Sequence, residues 1–354
     1  MAQQVFFLVP GDPATATGGY IYDRRIADGL RALGWTVTPC SPGDGFPAPD
    51  DATRAGAARA IAALPDGALV VADGLAFGVL PELARQHAQR LRWVALVHHP
   101  LALETGLDAR LAQDLFQSER RALTAARRVV VTSAFTARSL AGYDVPADAI
   151  TVVEPGTEPA ALAAGSGDAA LALICVASLT ERKGHAVLLE ALAGLSGWRW
   201  VLHCVGSLTR EPATAAALQA AQQRHGLDGR VVWHGEQAGA GLEALYDRAD
   251  VFVLASFHEG YGMALAEALA RGLPIVSCRA GAIADTVPDD AGVLVPPGDV
   301  AALRAALQRV MEAPDHRAAL AAGARAARLR LPSWQTAAQR FAAALSDLPP
   351  QPIG

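Results

Sequence analysis

Short apolar runs rich in β-branched residues alternate with helix-like segments along most of the chain. The first run covers residues 5–9, and a helix is expected from about residue 20 to 33. The alternation starts again with an apolar run at 171–177 and a helix at 185–195. Continuous apolar runs are typical of strands buried in parallel sheets, and their alternation with helices is typical of doubly wound folds. The sequence therefore predicts an α/β protein with two doubly wound parallel sheets in tandem.

The length of 354 residues also favours two domains, because a single hydrophobic core rarely extends so far. We expect a first Rossmann-like domain over residues 1–160 and a second over 171–332, facing each other across a central cleft. Residues 161–170, rich in Ala, Gly and Ser, are expected to be a linker. Residues 333–354 are expected to form a C-terminal helix and tail that cross back to the first domain.

Composition excludes some classes of function. A formal net charge of -5 argues against nucleic-acid binding, which needs a basic face. The four cysteines lie far apart without CxxC spacing, which predicts free thiols in a reducing cytoplasm. The first residues lack a basic segment, and no uncharged apolar run approaches the length of a membrane span, so no signal peptide or transmembrane helix is expected. Among 30 basic residues, Lys183 is the only lysine.

The stretch from 251 to 272, VFVLASFHEGYGMALAEALARG, combines a buried strand, a tight turn and an apolar helix. The free N–H groups and positive dipole end of such a helix can bind an anion, and Gly260 and Gly262 would let that anion approach the backbone. Glu267 needs a partner or a cleft to face, because the helix around it is almost entirely apolar. Similar turns occur throughout α/β proteins, so this turn alone is a weak signal of a ligand site.

Three polar features in the second half follow predicted strands. They are Arg182 with Lys183, Gly206 with Ser207, and the turn from Glu259 to Gly262. Strand ends at the carboxyl edge of an open sheet are where ligands bind. Two adjacent cations beside a helix N-terminus predict a site for a diphosphate.

The first half offers fewer candidates. Gly18 and Gly19 are expected in the loop after the first strand, but their spacing is not GxGxxG. His98 and His99 follow the strand at 93–97, so either could face a ligand or simply cap backbone groups. A helix predicted over 110–128 carries five arginines, which suit a solvated face or, alternatively, docking on anionic lipid.

The Glu-x7-Glu pattern in HEGYGMALAEALARGLPIV resembles the signature of family 4 glycosyltransferases of the GT-B fold. The segments VASLTERKGHAVLLEAL, VVWHGE and AGVLVPPGD match the same family in order and spacing. TGGY, LVHHP, VTSAFT and VEPGTE in the first half match it more loosely. The resemblance implies retaining transfer from a nucleotide-diphosphate sugar to a small-molecule, glycan or lipid-linked acceptor.

The resemblance also implies residue roles. Arg182 and Lys183 would neutralise the diphosphate and assist its departure, Glu259 would contact sugar hydroxyls, and His98, or alternatively His99, would meet the sugar from the first domain. Glu267 would hold the ribose, and the backbone around residues 234–236 would face the base. The implied donor-binding set is Gly18, Gly19, Gly206, Ser207, His234, Gly235, Glu236, Gly260, Tyr261, Gly262, Met263 and Glu267.

The chain departs from the family pattern at two places. Many members have Gly-Arg where this chain has Ala177 and Ser178, and Asp where it has His99. No His, Asp or Glu cluster has metal-ligand spacing, so neither a metal nor another cofactor is expected. The alternatives are a GT-B-shaped nucleotide-binding scaffold without turnover and another GT-B enzyme such as an epimerase. A pyridoxal-dependent phosphorylase is disfavoured because the single lysine, Lys183, lies in the predicted diphosphate loop.

Overall fold

A computed structural model of the protein describes residues 3–15, 17–168 and 170–348. The chain divides into two compact units. Unit 1 comprises residues 1–156 and 332–354, and unit 2 comprises residues 157–331. Each unit contains one six-stranded sheet, and every neighbouring pair of strands is parallel. The predicted α/β class with two parallel sheets is confirmed.

The sheet of unit 1 has the strand order β2-β1-β3-β4-β5-β6. Its strands are β1 (Gln4–Leu8), β2 (Thr36–Cys40), β3 (Leu69–Asp73), β4 (Arg92–Val97), β5 (Arg128–Val131) and β6 (Ile150–Val152). The helices among them are α1 (Gly18–Ala32), α2 (Asp51–Ala62), α3 (Gly74–Phe77), α4 (Pro81–Gln86), α5 (Ala109–Leu123) and α6 (Ala134–Ser139). On β3, Val70 packs into one apolar core and Val71 into another. Successive residues of a strand point to opposite faces, so the sheet is covered on both sides, which explains its continuous apolar strands.

The sheet of unit 2 has the order β12-β11-β10-β7-β8-β9. Its strands are β7 (Leu171–Val176), β8 (Trp200–Val205), β9 (Val231–Trp233), β10 (Val251–Leu254), β11 (Ile275–Cys278) and β12 (Gly292–Val295). Its helices are α7 (His185–Ala193), α8 (Pro212–Arg224), α9 (Gly239–Asp247), α10 (Met263–Ala270), α11 (Ile283–Thr286), α12 (Val300–Glu312) and α13 (Pro314–Ala327). Phe252 on β10 is paired with Ile174 on β7 and with Ile275 on β11. The loops that follow β7 and β10 therefore leave the sheet side by side, although they are far apart in sequence.

The last helix, α14 (Trp334–Ser346), returns to unit 1 and packs against α1 and β5. Ser333 caps its start by accepting a hydrogen bond from the Thr336 N–H. Phe341 is fully buried in the core of unit 1. A Cβ on Gly29 of α1 would lie only 2.4 Å from the Ala338 Cβ, so the glycine permits the close helix contact. The predicted return of the C-terminal helix to the first half is confirmed.

Residues 161–170, expected to be a linker, hold fixed positions on unit 2 wherever they are described. The Ala163 N–H donates to the Arg271 carbonyl at 2.9 Å, and the Gly165 N–H donates to the Asp247 carbonyl at 2.9 Å. The Ser166 hydroxyl donates to Asp250 at 2.7 Å. Acceptors on α9, on the turn before β10 and at the end of α10 thus bind this segment to unit 2.

Two helix boundaries differ from expectation. The helix predicted over 110–128 ends at Leu123, because the Arg127 N–H donates to the Trp93 carbonyl and the chain joins the sheet as β5. Helix α1 begins earlier than expected, at Gly18, with Thr17 as its cap. Gly18 and Gly19 are therefore the first two residues of a helix and not part of the preceding loop.

All four cysteines are free, and Cys175, Cys204 and Cys278 are buried. Across the described ranges, no helix is both long and apolar enough to cross a membrane.

Candidate functional site

The loop after β7 carries Arg182 and Lys183 in a single 3-10 turn that ends at Gly184. Gly184 has a φ of +66°, and a Cβ there would lie 2.0 Å from the Ala255 carbonyl oxygen. Only glycine lets this turn lie directly against the end of β10. The two loops are also joined by hydrogen bonds, because the Arg182 carbonyl accepts from the Phe257 N–H at 2.8 Å.

Arg182 and Lys183 share the carboxylate of Glu259. Lys183 Nζ lies 2.6 Å from Glu259 Oε1, and Arg182 Nη1 lies 3.7 Å from Oε2. Burial would raise the pKa of Glu259, but the two cations outweigh burial and hold the pKa below its usual value. Burial lowers the pKa of Lys183, with Arg182 adding to that effect and Glu259 opposing it. With both cations protonated, two positive charges and one negative charge leave one positive charge in excess.

The N-terminus of α10 lies just beyond Glu259. Gly262 forms its cap with a φ of +90°, and no side chain accepts a hydrogen bond there. Among the described residues, the N–H groups of Gly262, Met263 and Ala264 have no acceptor. Three unsatisfied donors at the positive end of the helix dipole favour an anion.

Residues after β11 form hydrogen bonds with the turn that contains Glu259 and Tyr261. The Ala282 N–H donates to the Glu259 carbonyl at 2.8 Å, and the Thr286 hydroxyl donates to the Tyr261 carbonyl at 2.7 Å. A Cβ on Gly281 would lie 2.2 Å from the Glu259 carbonyl oxygen. Sequence analysis missed these supporting residues, because nothing in their local pattern indicates which loop they contact.

Glu267 lies about one turn into α10, and its carboxylate has the hydrogen-bond partner expected from its apolar surroundings. The Tyr246 hydroxyl donates to Glu267 Oε2 at 3.0 Å, and the Arg271 guanidinium stacks over the Tyr246 ring at 4.2 Å. Burial raises the pKa of Glu267, although Tyr246 and Arg271 oppose it.

Candidates at the ends of β8 and β9 also lie close together. Gly206 has a φ of +153°, and a Cβ on it would lie 2.1 Å from the Ala177 carbonyl oxygen. Its N–H donates to the Gly235 carbonyl at 2.9 Å, and the Ser207 carbonyl accepts from the Leu179 N–H at 3.0 Å. His234 lies beside His203, with ring nitrogens 3.0 Å apart, while Glu236 is exposed.

In unit 1, His98 directly follows β4 and contacts two buried carboxylates. Its Nε2 lies 3.0 Å from Asp23 Oδ1 and 3.6 Å from Asp73 Oδ2. A Cβ on Gly19 would lie 3.4 Å from the His98 ring, so the start of α1 lies against the imidazole. His99 points elsewhere, with its Nε2 3.9 Å from Glu104.

Sequence analysis did not single out Asp23 or Asp73. The sequence does contain a signal for each residue. Asp73 is a charged residue at the end of an apolar strand, and Asp23 is a charged residue on the otherwise apolar buried face of α1. Together with His98 they are the group of three potential metal ligands found in the described ranges, with ligand atoms within 4.8 Å of one another. The 3.0 Å contact between Nε2 and Oδ1 has the length of a hydrogen bond, so the residues can satisfy one another without an ion.

Two six-stranded parallel sheets, with cations and a helix N-terminus at the carboxyl edge of the second, define the class of GT-B proteins. Sucrose-phosphate synthase from Thermosynechococcus elongatus has the same fold, with a TM-score of 0.81, 23% identity and coverage of 96% of this chain and 98% of that chain. Anabaena HepE, solved in complex with UDP and glucose, gives a TM-score of 0.78 at 18% identity over 98% of this chain and 100% of that chain.

Two family models match successive parts of the sequence. The model described as Glycosyltransferase Family 4 matches residues 18–161, and the one described as Glycosyl transferases group 1 matches residues 170–313. The chain belongs to the family 4 glycosyltransferases.

A curated relative is the D-inositol 3-phosphate glycosyltransferase of Saccharomonospora viridis, 31% identical over 276 residues. That match covers 70% of this chain and 63% of the relative. The protein of the same description from Corynebacterium kroppenstedtii is 29% identical over 63% of this chain and 52% of its own length. The chain thus spans less than two thirds of the length of these relatives.

Proposed function

We propose that this protein transfers a sugar from a nucleotide-diphosphate sugar to an acceptor, with retention at the anomeric carbon and without a metal ion. The observation that carries the proposal is the cation pair Arg182–Lys183, held by Glu259 beside the unsatisfied N–H groups of α10. Membership of the family supports it, as does the complex of HepE with UDP-glucose. The three buried free cysteines support a reducing compartment, which we take to be the cytoplasm.

The proposed chemistry follows from where charge develops. Breaking the bond between sugar and diphosphate leaves negative charge on the diphosphate, which Arg182, Lys183 and the N–H groups at residues 262–264 would stabilise. These donors are fixed before the reaction, so little reorganisation opposes their effect. The excess positive charge of the site supplies the neutralisation that a divalent ion gives elsewhere.

Binding roles are assigned to the remaining candidates. Glu259 lies against the cations, where it would accept hydrogen bonds from hydroxyls of the donor sugar. Glu267, oriented by Tyr246, would accept from the ribose. We assign His98 of unit 1 to a sugar oxygen. The backbone at residues 206–207 and 234–236 would border the nucleotide.

Turnover and binding with a panel of nucleotide sugars test the proposal. One donor should raise the melting temperature and be hydrolysed or transferred, with EDTA having no effect. Lys183→Met and Glu259→Gln should each lower kcat/KM by roughly 10²–10³-fold, because each removes a fixed charge next to the reacting bond. Arg224→Ala, at the exposed end of α8, is the matched control and should leave the rate unchanged.

The outcomes separate the alternatives. Wild-type rates in both variants would refute the assignment of the donor site. Nucleotide binding without turnover on any acceptor would instead identify a scaffold of GT-B shape. A requirement for a divalent ion would contradict only the proposed independence of metal and no other part of the proposal.

A further inference from the structure

Two buried carboxylates from different elements converge on one edge of the His98 ring. Asp23 lies on α1 and Asp73 ends β3, and their exposed fractions are 3% and 2%. Both approach the same ring nitrogen, Nε2. A carboxylate is costly to bury without a donor, so two of them at one imidazole require an explanation.

We propose that Asp23 and Asp73 are positioning residues that hold His98 as a fixed imidazolium, with its Nε2–H on the carboxylates and its Nδ1–H presented to a sugar or phosphate oxygen of the substrate. The assignment of a substrate oxygen rests on the proposed function. The charge and orientation of the ring are argued only from residues of unit 1 and do not depend on the proposed function.

The direction of the hydrogen bonds follows from the chemistry of the groups. Ionised carboxylate oxygens only accept, so an unprotonated Nε2 would place its lone pair against two other lone pairs. Asp73 Oδ1 already accepts from the Leu75 N–H at 2.7 Å, which leaves Oδ2 for the ring. Nε2 must therefore carry a proton that is directed at Asp23 Oδ1, with Asp73 Oδ2 nearby.

The orientation of the ring is also restricted by packing. Tyr22 contacts the imidazole edge to face, with ring centroids 5.3 Å apart, and its hydroxyl donates to the Val153 carbonyl at 2.9 Å. Gly19 allows the start of α1 to lie against the Cδ2 and Nε2 side of the ring. Tyr22 is buried and bonded, so it cannot rotate away without losing that bond. These contacts restrict rotation of the ring, which would move Nε2 away from the carboxylates.

The electrostatic balance keeps both nitrogens protonated. Burial alone would lower the pKa of His98, but Asp23 and Asp73 outweigh it and raise the pKa to about 10. Burial raises the pKa of Asp23 to about 6, with His98 opposing and Asp73 adding to the rise. Tyr22 also contacts the ring, and burial raises the pKa of its hydroxyl. Near neutral pH the ring is therefore charged and cannot act as a general base.

Nδ1 is left for the substrate. Within residues 3–15, 17–168 and 170–348, no hydrogen bond to this nitrogen is formed, and 21% of the His98 side chain is exposed. A charged N–H donor is about twice as strong as a neutral one, so it suits an oxygen that gains negative charge. His98 would thus stabilise charge and would not accept a proton.

Nitrogen NMR of histidine-labelled protein tests the charge state without any substrate. The two His98 nitrogens, assigned by comparison with His98→Gln, should both show protonated shifts from pH 6 to pH 9. Asp23→Asn should move the titration to near or below the usual pKa of a histidine, about 6.5. Asp28→Asn, an exposed position on the same helix, is the matched control and should leave the His98 shifts unchanged.

Kinetics give a second readout that a purely structural role would not move. In the wild-type enzyme, ionisation of His98 should cause no change in kcat/KM between pH 6 and pH 9. In Asp23→Asn and Asp73→Asn it should fall about tenfold per pH unit above the lowered pKa, with activity recovered in acid. A uniform loss at every pH would show that the carboxylates only support the fold.

Two further results would overturn the inference. One is a neutral His98 ring that titrates near pH 6.5 in the wild-type protein. The other is a stoichiometric divalent ion that copurifies with the protein and is lost in Asp23→Asn, which would make the cluster a metal site. If no donor is turned over, the proposed function fails, but the NMR result still decides the charge of His98.

Discussion

At the scale of single residues, unit 1 also buries a carboxyl group beneath the segment that follows His98. Glu119 on α5 is fully buried, and its Oε2 accepts from the Leu101 N–H at 2.9 Å. Burial raises the pKa of Glu119 to about 8, although hydrogen bonding to Leu101 and Tyr143 opposes the rise. The group is therefore protonated near neutral pH and ties the turn at 101–103 to α5.

This pKa predicts a dependence of stability on pH. The folded protein keeps the proton of Glu119 up to about pH 8, whereas the unfolded chain loses it above about pH 4.5, so this contribution to stability falls between those values. Glu119→Gln keeps the acceptor for Leu101 but cannot ionise. Its melting temperature should match the wild type at pH 5 and exceed it by several degrees at pH 9, as calorimetry can measure. Equal pH profiles would show that Glu119 is ionised in the fold.

At the scale of elements, Gly184 at the carboxyl edge of the second sheet determines how closely the loop after β7 approaches β10, and Gly226 after α8 offers a comparison. Gly184 and Gly226 have nearly the same φ, +66° and +65°. A Cβ on Gly184 would collide with the Ala255 carbonyl, whereas a Cβ on Gly226 would have no atom within 4 Å. The two positions therefore separate the cost of backbone conformation from the cost of lost space.

Alanine substitutions at the two positions should measure these two destabilising effects separately. Gly226→Ala should destabilise by about 1–2 kcal/mol, the penalty for a left-handed residue with a side chain. Gly184→Ala should destabilise by about 3 kcal/mol or more, because the turn must also move off β10. Urea denaturation gives both values. Gly184→Ala should in addition weaken donor binding, since Lys183 precedes it, and equal effects at both sites would contradict the collision.

At the scale of the whole molecule, unit 1 is assembled from two segments separated by all of unit 2. Helix α14 completes the core of unit 1, where Phe341 packs near Phe7 with ring centroids 6.2 Å apart. The first segment alone would leave the face of α1 and β5 that α14 covers open to water. The stability of unit 1 therefore depends on residues that follow unit 2 in the sequence.

Phe341→Ala should lower the free energy of unfolding of unit 1 by about 3–5 kcal/mol through loss of burial and formation of a cavity. Hydrogen exchange followed by mass spectrometry can locate the effect. Exchange should accelerate in peptides from α1, β1 and β5. Gln339→Ala, exposed on the same helix, should change exchange very little. Unchanged protection of α1 in Phe341→Ala would show that α14 is dispensable.

Most of the fold could be predicted because local sequence patterns indicate most of its strands and helices. The apolar runs at residues 5–9 and 171–177 correctly predicted β1 and β7. The end of α5 could not be predicted, because pairing of β5 with β4 overrides the helical pattern around Arg127. The fixed path of residues 161–168 was equally hidden, since its acceptors lie on α9 and on the turn before β10.

The sequence by itself determined the strand, turn and helix from residue 251 to 272, the lone lysine and the spacing of Glu259 and Glu267, since each of these can be read from a continuous stretch of residues. The tertiary structure decided their partners. It placed Lys183 on Glu259 across 76 residues and His98 on Asp23 across 75. The physical reason is that strand order brings loop ends together at one sheet edge, and that order depends on packing of the whole sheet. Local periodicity specifies each strand but carries no information about its neighbours.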